Sequence, residues 1–157
     1  MSNQMGVQAK QDLVLGRKVE KASGAIANAT TDLFTVTGLV AITGIIGYVT
    51  VAMDGTTTSI NLNHDPTIGS AANLCAATVV TSDAAGTIYG YLGDAITTLL
   101  VSSGTTAPGT AYAPFPNSRQ VLTPGVVGMV GTAADAGEVL WRLFYVPVSD
   151  DGAVVAA

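Results

Sequence analysis

Charged side chains are scarce in this chain. Only 11% of its 157 residues are Asp, Glu, Lys or Arg, while 48% are hydrophobic. Soluble domains usually carry about 25% charged residues. A folded monomer of this length exposes on the order of 7,000 Å² of surface, which so few ionised groups cannot cover. We therefore expect partner proteins to cover part of the surface, although a surface rich in uncharged Thr and Ser is the alternative.

Cysteine and histidine are also scarce, which removes several kinds of site. Cys75 is the only cysteine, so the chain forms no internal disulfide, and its apolar neighbours predict a buried thiol. His64 is the only histidine, whereas zinc sites take three or four His, Cys or carboxylate ligands. Asp65 follows it directly, but adjacent residues of an extended chain face opposite ways, which favours a turn cap over a catalytic pair. We predict no metal and no cofactor.

The acids and glycines form no stronger catalytic pattern. Most acids stand at expected turns, where carboxylates usually cap backbone N–H groups, although a carboxylate pair could in principle hydrolyse glycosides. No segment has the dense Asp and Asn alternation of a calcium loop. The stretches GIIGYVT and GVVGMVG lack the residues of a phosphate-binding loop. The sequence therefore predicts a protein that is not an enzyme.

Positive charge is concentrated near the N-terminus, and the rest of the chain is acidic. Four of the six basic residues lie within the first 21 positions: Lys10, Arg17, Lys18 and Lys21. Because the body lacks a basic cluster, nucleic-acid binding is disfavoured. We expect residues 1–23 to form an extended arm that docks on an acidic neighbour or is an ordinary solvated strand. No signal-peptide core is visible, so synthesis in the cytoplasm is expected.

No apolar run is long enough to span a membrane as a helix. The best candidate, residues 39–53, has fifteen residues and two glycines, whereas a spanning helix needs about twenty apolar residues. We predict no membrane segment and instead a β-hairpin with Asp54-Gly55 as its turn. This turn pairs Val49 with Ile60 and gives both arms one apolar face. That face comprises Val49, Val51, Met53, Ile60 and Leu62.

The remaining chain is a series of short β-forming runs separated by Gly, Pro and Asp turns. A loop at Ser82–Gly86 predicts a second hairpin. Residues 104–117 hold three prolines and predict a long surface loop. In that loop, Tyr112 and Phe115 either contact a partner or pin the loop to the body.

Residues 138–148 form the densest β-forming run. Both sides of this strand are largely apolar, which indicates a central strand or a strand at an interface. We expect Trp141 on one side and Phe144 on the other to contact partners. Together these features predict an all-β fold, an antiparallel β-sandwich or jelly roll, with residues 24–148 as its domain and 149–157 as a flexible tail.

Four segments carry a resemblance to a known family: GLVAITGIIGYVTVAM, NHDPTIGSAANLCAA, GTIYGYLGD and EVLWRLFYVPV. Their order resembles that of tailed-bacteriophage capsid decoration, or cement, proteins of the jelly-roll type, over most of residues 24–148. The resemblance implies a virion protein, assembled in the host cytoplasm, that binds the capsid surface as a homotrimer and bridges major capsid protein subunits. The alternatives are another virion part, such as a tail, baseplate or head-fibre base protein, or a carbohydrate- or surface-binding β module.

Overall fold

Strands make up the regular structure of this protein. A computed structural model describes residues 16–93, 95–102 and 119–157, and no helix occurs in these ranges. The strands are β1 (Arg17–Ile26), β2 (Thr30–Thr37), β3 (Val40–Val51), β4 (Ser59–Pro66), β5 (Ala72–Asn73), β6 (Thr78–Val79), β7 (Ile88–Gly90), β8 (Leu100–Ser102), β9 (Val121–Leu122), β10 (Gly125–Gly131), β11 (Asp135–Pro147) and β12 (Ala153–Ala156). In particular, the described part of the chain has no helix that could span a membrane.

The strands form two sheets that pack face to face. Sheet A has the order β1-β11-β3-β7-β8, with β9 also paired to β3, and sheet B has the order β12-β2-β10-β4-β5, with β6 also paired to β4. Every ladder between these strands is antiparallel. The apolar inner faces form one core between the sheets. The predicted antiparallel β-sandwich is therefore confirmed.

The order of the strands follows from pairing early strands with late ones. β1 pairs with β11, β2 with β10, β3 with β7, and β4 with β5, as in one long hairpin. Rolling up that hairpin brings β11 beside β3 and β10 beside β4, so that β1 to β4 alternate between the sheets, as β9 to β12 do. This is the strand order of a jelly roll.

Strand β11 lies at the centre of sheet A and supplies much of the core. Its inward side chains are at most 4% exposed; they are Val139, Trp141, Leu143 and Tyr145. Burying such side chains stabilises a fold by about 1.5–3 kcal/mol each. The Trp141 ring packs beside the Tyr89 ring, with centroids 6.3 Å apart, and its other neighbour is Gly47, directly opposite on β3. The prediction of a central strand at 138–148 is confirmed.

The predicted hairpin at Asp54-Gly55 is wrong, because its two arms belong to different sheets. β3 pairs with β11 and β7, whereas β4 pairs with β10. Residues 52–58 cross between the sheets, and the Asp54 carboxylate accepts a hydrogen bond from the Thr56 N–H at 2.7 Å. Each arm has one apolar face, and this pattern is equally compatible with a hairpin in one sheet and with a connection that crosses from one sheet to the other. Four residues of the predicted face are buried, whereas Val51 is 48% exposed.

The second predicted hairpin fails in the same way. β6, before the Ser82–Gly86 loop, pairs with β4 in sheet B, whereas β7, after it, pairs with β3 in sheet A. The loop is a turn as predicted, with Ser82 at a φ of 60°. Its residues specify a change of direction but not the sheet to which the next strand is added.

The predicted arm and the predicted flexible tail each contain residues that lie in a strand. Residues 17–23 of the predicted arm lie in β1, which pairs with β11, and the predicted tail contains β12, which pairs with β2. Lys21 Nζ donates a hydrogen bond to the backbone oxygen of Ala157 and so links these two edge strands. The charged residues that flank Val19 on both sides of β1 obscure the apolar contribution of the strand, although Val19 packs against the core and Ile26 is buried in it. The rest of the arm and the loop at 104–117 lie outside the described residues.

Substituting Gly47 with alanine tests the contact between the two central strands. A Cβ at this position would lie 2.8 Å from Trp141 Cζ3 and 2.9 Å from Val139 Cγ1. We expect Gly47→Ala to lower the free energy of unfolding by about 1–3 kcal/mol, as overpacked cores do. Urea unfolding followed by tryptophan fluorescence measures the change. Gly55→Ala is the matched control, since its Cβ meets no atom within 4 Å, and an equal loss in both variants would contradict the packing argument.

Candidate interaction surface

The solvent side of sheet A carries an unusual number of apolar side chains. Because inward and outward residues alternate along a strand, the neighbours of the core residues point outward. We call this side the outer face of sheet A; its apolar members are Ala41, Ile46, Tyr48, Ile88, Leu100, Val121, Leu140, Phe144 and Val146. They are half-buried or exposed, with Tyr48 at 39% and Val121 at 55%.

These apolar side chains form continuous rows across the strands. Leu140 on β11 lies opposite Tyr48 on β3, which lies opposite Ile88 on β7. Two positions further along β11, a second row passes from the charged Arg142 to Ile46 and, across Gly90, to Leu100 at the far edge. At the end of the sheet, Val146, Ala41 and Val121 form a third row. The face is therefore a contiguous apolar surface of a kind that usually marks an interaction site.

A short row of charges crosses one side of this face. The Glu20 carboxylate on β1 accepts a hydrogen bond from Lys18 Nζ at 2.7 Å and from Arg142 Nε at 2.9 Å. Lys18 and then Arg142 hold the pKa of Glu20 below its ordinary value. About a third or more of each side chain is exposed, so solvent screens these pairs and they add little stability. Their effect is to tie Arg142 on β11 to Glu20 on the neighbouring strand β1.

Glu138 carries the opposite charge at the other end of the same face. It lies on β11 four residues before Arg142, and its Oε1 accepts a hydrogen bond from the Thr50 hydroxyl at 2.9 Å. The outer face of sheet A is therefore positive near Lys18 and negative near Glu138. The two ends lie about 20 Å apart at 3.4 Å per residue.

The outer face of sheet B has a different chemistry. It contains a polar cleft of about 320 Å³ lined by Thr30, Asp32, Asn63, Asp65, Ala71, Val126 and Gly128. The cleft lies over Gly128, where a Cβ would come within 2.8 Å of Asn63 Oδ1. That oxygen is buried and accepts no hydrogen bond from any described residue. The cleft is thus rich in acceptors and suits a ligand that donates hydrogen bonds.

His64 has a structural contact in place of the turn cap that the sequence predicts. It lies within β4 and is 9% exposed, and its Nε2 donates a hydrogen bond to the Thr123 carbonyl at 3.1 Å. Burial lowers the pKa of the imidazole, against smaller opposing effects of Thr123 and Asp65. The neutral ring therefore ties β4 to the segment between β9 and β10.

Cys75 is buried, as the sequence predicts. Its Sγ accepts a hydrogen bond from the Leu62 N–H at 3.2 Å, and burial raises the pKa of the thiol. A thiol held in this protonated form is a poor nucleophile. Cys75 therefore acts as a small core residue.

Three carboxylates lie at the end of the sandwich where β3, β7 and β11 meet the turns: those of Asp54, Asp83 and Asp135. Asp135 Oδ1 accepts hydrogen bonds from the backbone N–H groups of Asp54 and Gly137, and Asp83 accepts one from the Tyr89 hydroxyl at 2.7 Å. Burial, followed by Asp83, raises the pKa of Tyr89. These contacts fasten turns, as predicted for turn acids. Among the described residues, no group of three His, Cys, Asp or Glu side chains is arranged to hold a metal ion.

The structure separates the predicted partner-contact residues. Phe144 and Lys18 lie opposite each other on the outer face of sheet A. Trp141 is 0% exposed in the core, so its prediction as a contact residue is wrong. Arg17 and Lys21 lie opposite the inward residues of β11 and so point away from this face. The remaining three, Lys10, Tyr112 and Phe115, lie outside the described residues.

Sequence reasoning missed most of the outer face of sheet A. The alternation along β11 places Leu140 and Val146 on the same side as Phe144, so these two could have been included. Ile46 and Tyr48 alternate with buried residues of β3 in the same way. Glu20 could not have been found, because its role depends on the register between β1 and β11.

Stability should fall on mild acidification because of His64. Its pKa is lowered in the folded protein from an ordinary value of 6.5, so the unfolded chain binds a proton first as the pH decreases. The contribution of the neutral His64 ring to the free energy of unfolding is complete above pH 6.5. As the pH falls below 6.5 this contribution is lost, and the free energy of unfolding decreases by up to about 1.4 kcal/mol per pH unit. Urea unfolding at pH 7.5 and 5.5 measures this loss, and His64→Gln should reduce it. An equal pH dependence in both proteins would contradict the assignment.

Comparisons of the chain with family models, curated proteins and solved structures found no match.

Proposed function

We propose that this chain is a structural virion protein that binds the outer surface of a tailed-phage capsid and bridges neighbouring major capsid protein subunits. The observation that carries the proposal is the contiguous apolar outer face of sheet A on a protein with few charges. Such a face favours burial against other polypeptides. The resemblance of the four sequence segments to decoration proteins supplies the identity of the assembly.

The physical role proposed for the protein is that of a clamp. A protein that binds only the assembled capsid stabilises it by mass action, with no chemical step. The described body suits this role, since its ladders join strands far apart in sequence, such as β1 with β11 and β2 with β12. No catalytic step and no cofactor are part of the proposal.

A sugar-binding β module is the second candidate, and the polar cleft of sheet B favours it. Carboxylate and amide oxygens accept hydrogen bonds from sugar hydroxyls, and Asp32, Asn63 and Asp65 line the cleft together. Glycan-array binding that is lost in Asp32→Ala and kept in Phe144→Lys would favour this candidate. Another virion part, such as a baseplate protein, remains the alternative within the same class and is distinguished by its position on the particle.

Binding to phage heads tests the proposal directly. Heads from phage that lack this chain are mixed with the purified protein, and the bound amount is measured after sedimentation. We expect saturable binding and a higher temperature of DNA release, because the ligand stabilises the assembled state. Tyr112→Ala combined with Phe115→Ala should weaken binding if the 104–117 segment contacts the capsid. Absence of the protein from purified virions, or no binding to these heads, would contradict the proposal.

A further inference from the structure

We infer that the outer face of sheet A packs against the same face of a second copy of this chain, with the two β11 strands running in opposite directions. This inference goes beyond the proposed function, because it assigns the outer face of sheet A to a second copy of the chain and leaves the other surfaces of the pair to contact the capsid. The resulting pair has two-fold symmetry, in which each residue contact occurs twice. The homotrimer that the sequence resemblance implies has a different symmetry.

The area of the face is enough for a weak, reversible pair. Strands β1, β11 and β3 follow the stretch from Glu138 to Val146, about 27 Å long, at a spacing of about 4.8 Å, whereas β7 and β8 add only three residues each. Two such faces together bury about 1,000 Å², which is the size of a weak or transient protein interface.

The composition of the face fits a partner that is itself a sheet. Ile46, Leu140 and Phe144 project from adjacent central strands, as the inner faces of a sandwich do. Two sheets that pack in this way interdigitate their side chains at a separation of about 10 Å. The outer face of sheet B, on the opposite side of the molecule, is less suited to packing against another sheet, because it carries the polar cleft.

The charges decide the relative direction of the two copies. Lys18 lies beside Phe144, and Glu138 lies six residues earlier on β11. If the two-fold axis crosses β11 midway between them, at the level of Trp141, the Lys18 end of each copy lies over the Glu138 end of the other. Leu140 then meets the aliphatic stem of Arg142 in the second copy. A parallel arrangement would place like charges together, which is unfavourable.

Two matched surface variants test the face. Phe144→Glu places a carboxylate on the outer face of sheet A, where the antiparallel arrangement brings it over Glu138 of the second copy, whereas Val155→Glu places one on sheet B, where Val155 is 57% exposed. Analytical ultracentrifugation over a concentration series gives the mass and the dissociation constant. We expect a wild-type dimer, a dissociation constant at least about 30-fold higher for Phe144→Glu, and no change for Val155→Glu. Thermal unfolding of each variant confirms that it is folded.

Charge reversal tests the direction of packing. Lys18→Glu places two carboxylates together across the interface, and Glu138→Lys places two ammonium groups together. We expect each single variant to raise the dissociation constant about 10-fold, and the double variant to return within about 3-fold of wild type. Residues 18 and 138 lie about 20 Å apart within one chain, so this rescue can only come from contact between copies.

Several results would overturn the inference. A wild-type protein that stays monomeric at about 100 μM would do so. A trimer, or a dimer that is unaffected by Phe144→Glu, would place the self-contact elsewhere. A dimer without the rescue would overturn the antiparallel arrangement. Binding to phage heads is measured separately, so failure of the pair and failure of the proposed function are distinguishable.

Discussion

The contact between Trp141 and the bare backbone of Gly47 is the constraint on which the rest of the structure depends. It joins the two longest strands, β11 and β3, at the centre of sheet A and fixes which side of each strand faces the core. With Trp141 inside, the alternation of β11 places Leu140, Arg142 and Phe144 outside. The core and the interaction surface are therefore two sides of the same strand, set by one register.

The class of fold could be predicted from the sequence, but the connections could not. The alternating run at 138–148, the turns rich in Gly, Pro and Asp, and the buried positions on β3 and β4 all indicate a sandwich. Ser82–Gly86 forms a turn as predicted, whereas Asp54-Gly55 is a bend without the positive φ angles of the predicted turn, and both segments cross between sheets instead of joining neighbours in one sheet. A turn sequence specifies local dihedral angles, whereas the partner of the next strand lies elsewhere in the chain, 20 residues away for Ser59 and Val79 and 98 for Ile45 and Leu143.

Prediction of the interaction surface was limited by the same problem. Phe144 and Lys18 were predicted and lie side by side, because both sit on strands whose alternation is visible. Trp141 was placed wrongly, since both sides of β11 are apolar and the sequence does not show which side the second sheet covers. The row of Lys18, Glu20 and Arg142 needs the register between the first and eleventh strands, which no local pattern encodes.

The pairing of early with late strands also has a consequence for synthesis. Ile45 on β3 pairs with Leu143 on β11, 98 residues later (143 − 45). At a translation rate of about 5–20 residues per second, β3 is synthesised roughly 5–20 s before β11, the neighbour that covers its hydrophobic edge. Folding is then dominated by non-local contacts and is slow compared with that of helical proteins. The nascent chain therefore passes through a period in which its most apolar strands lack their central neighbours and are prone to aggregation.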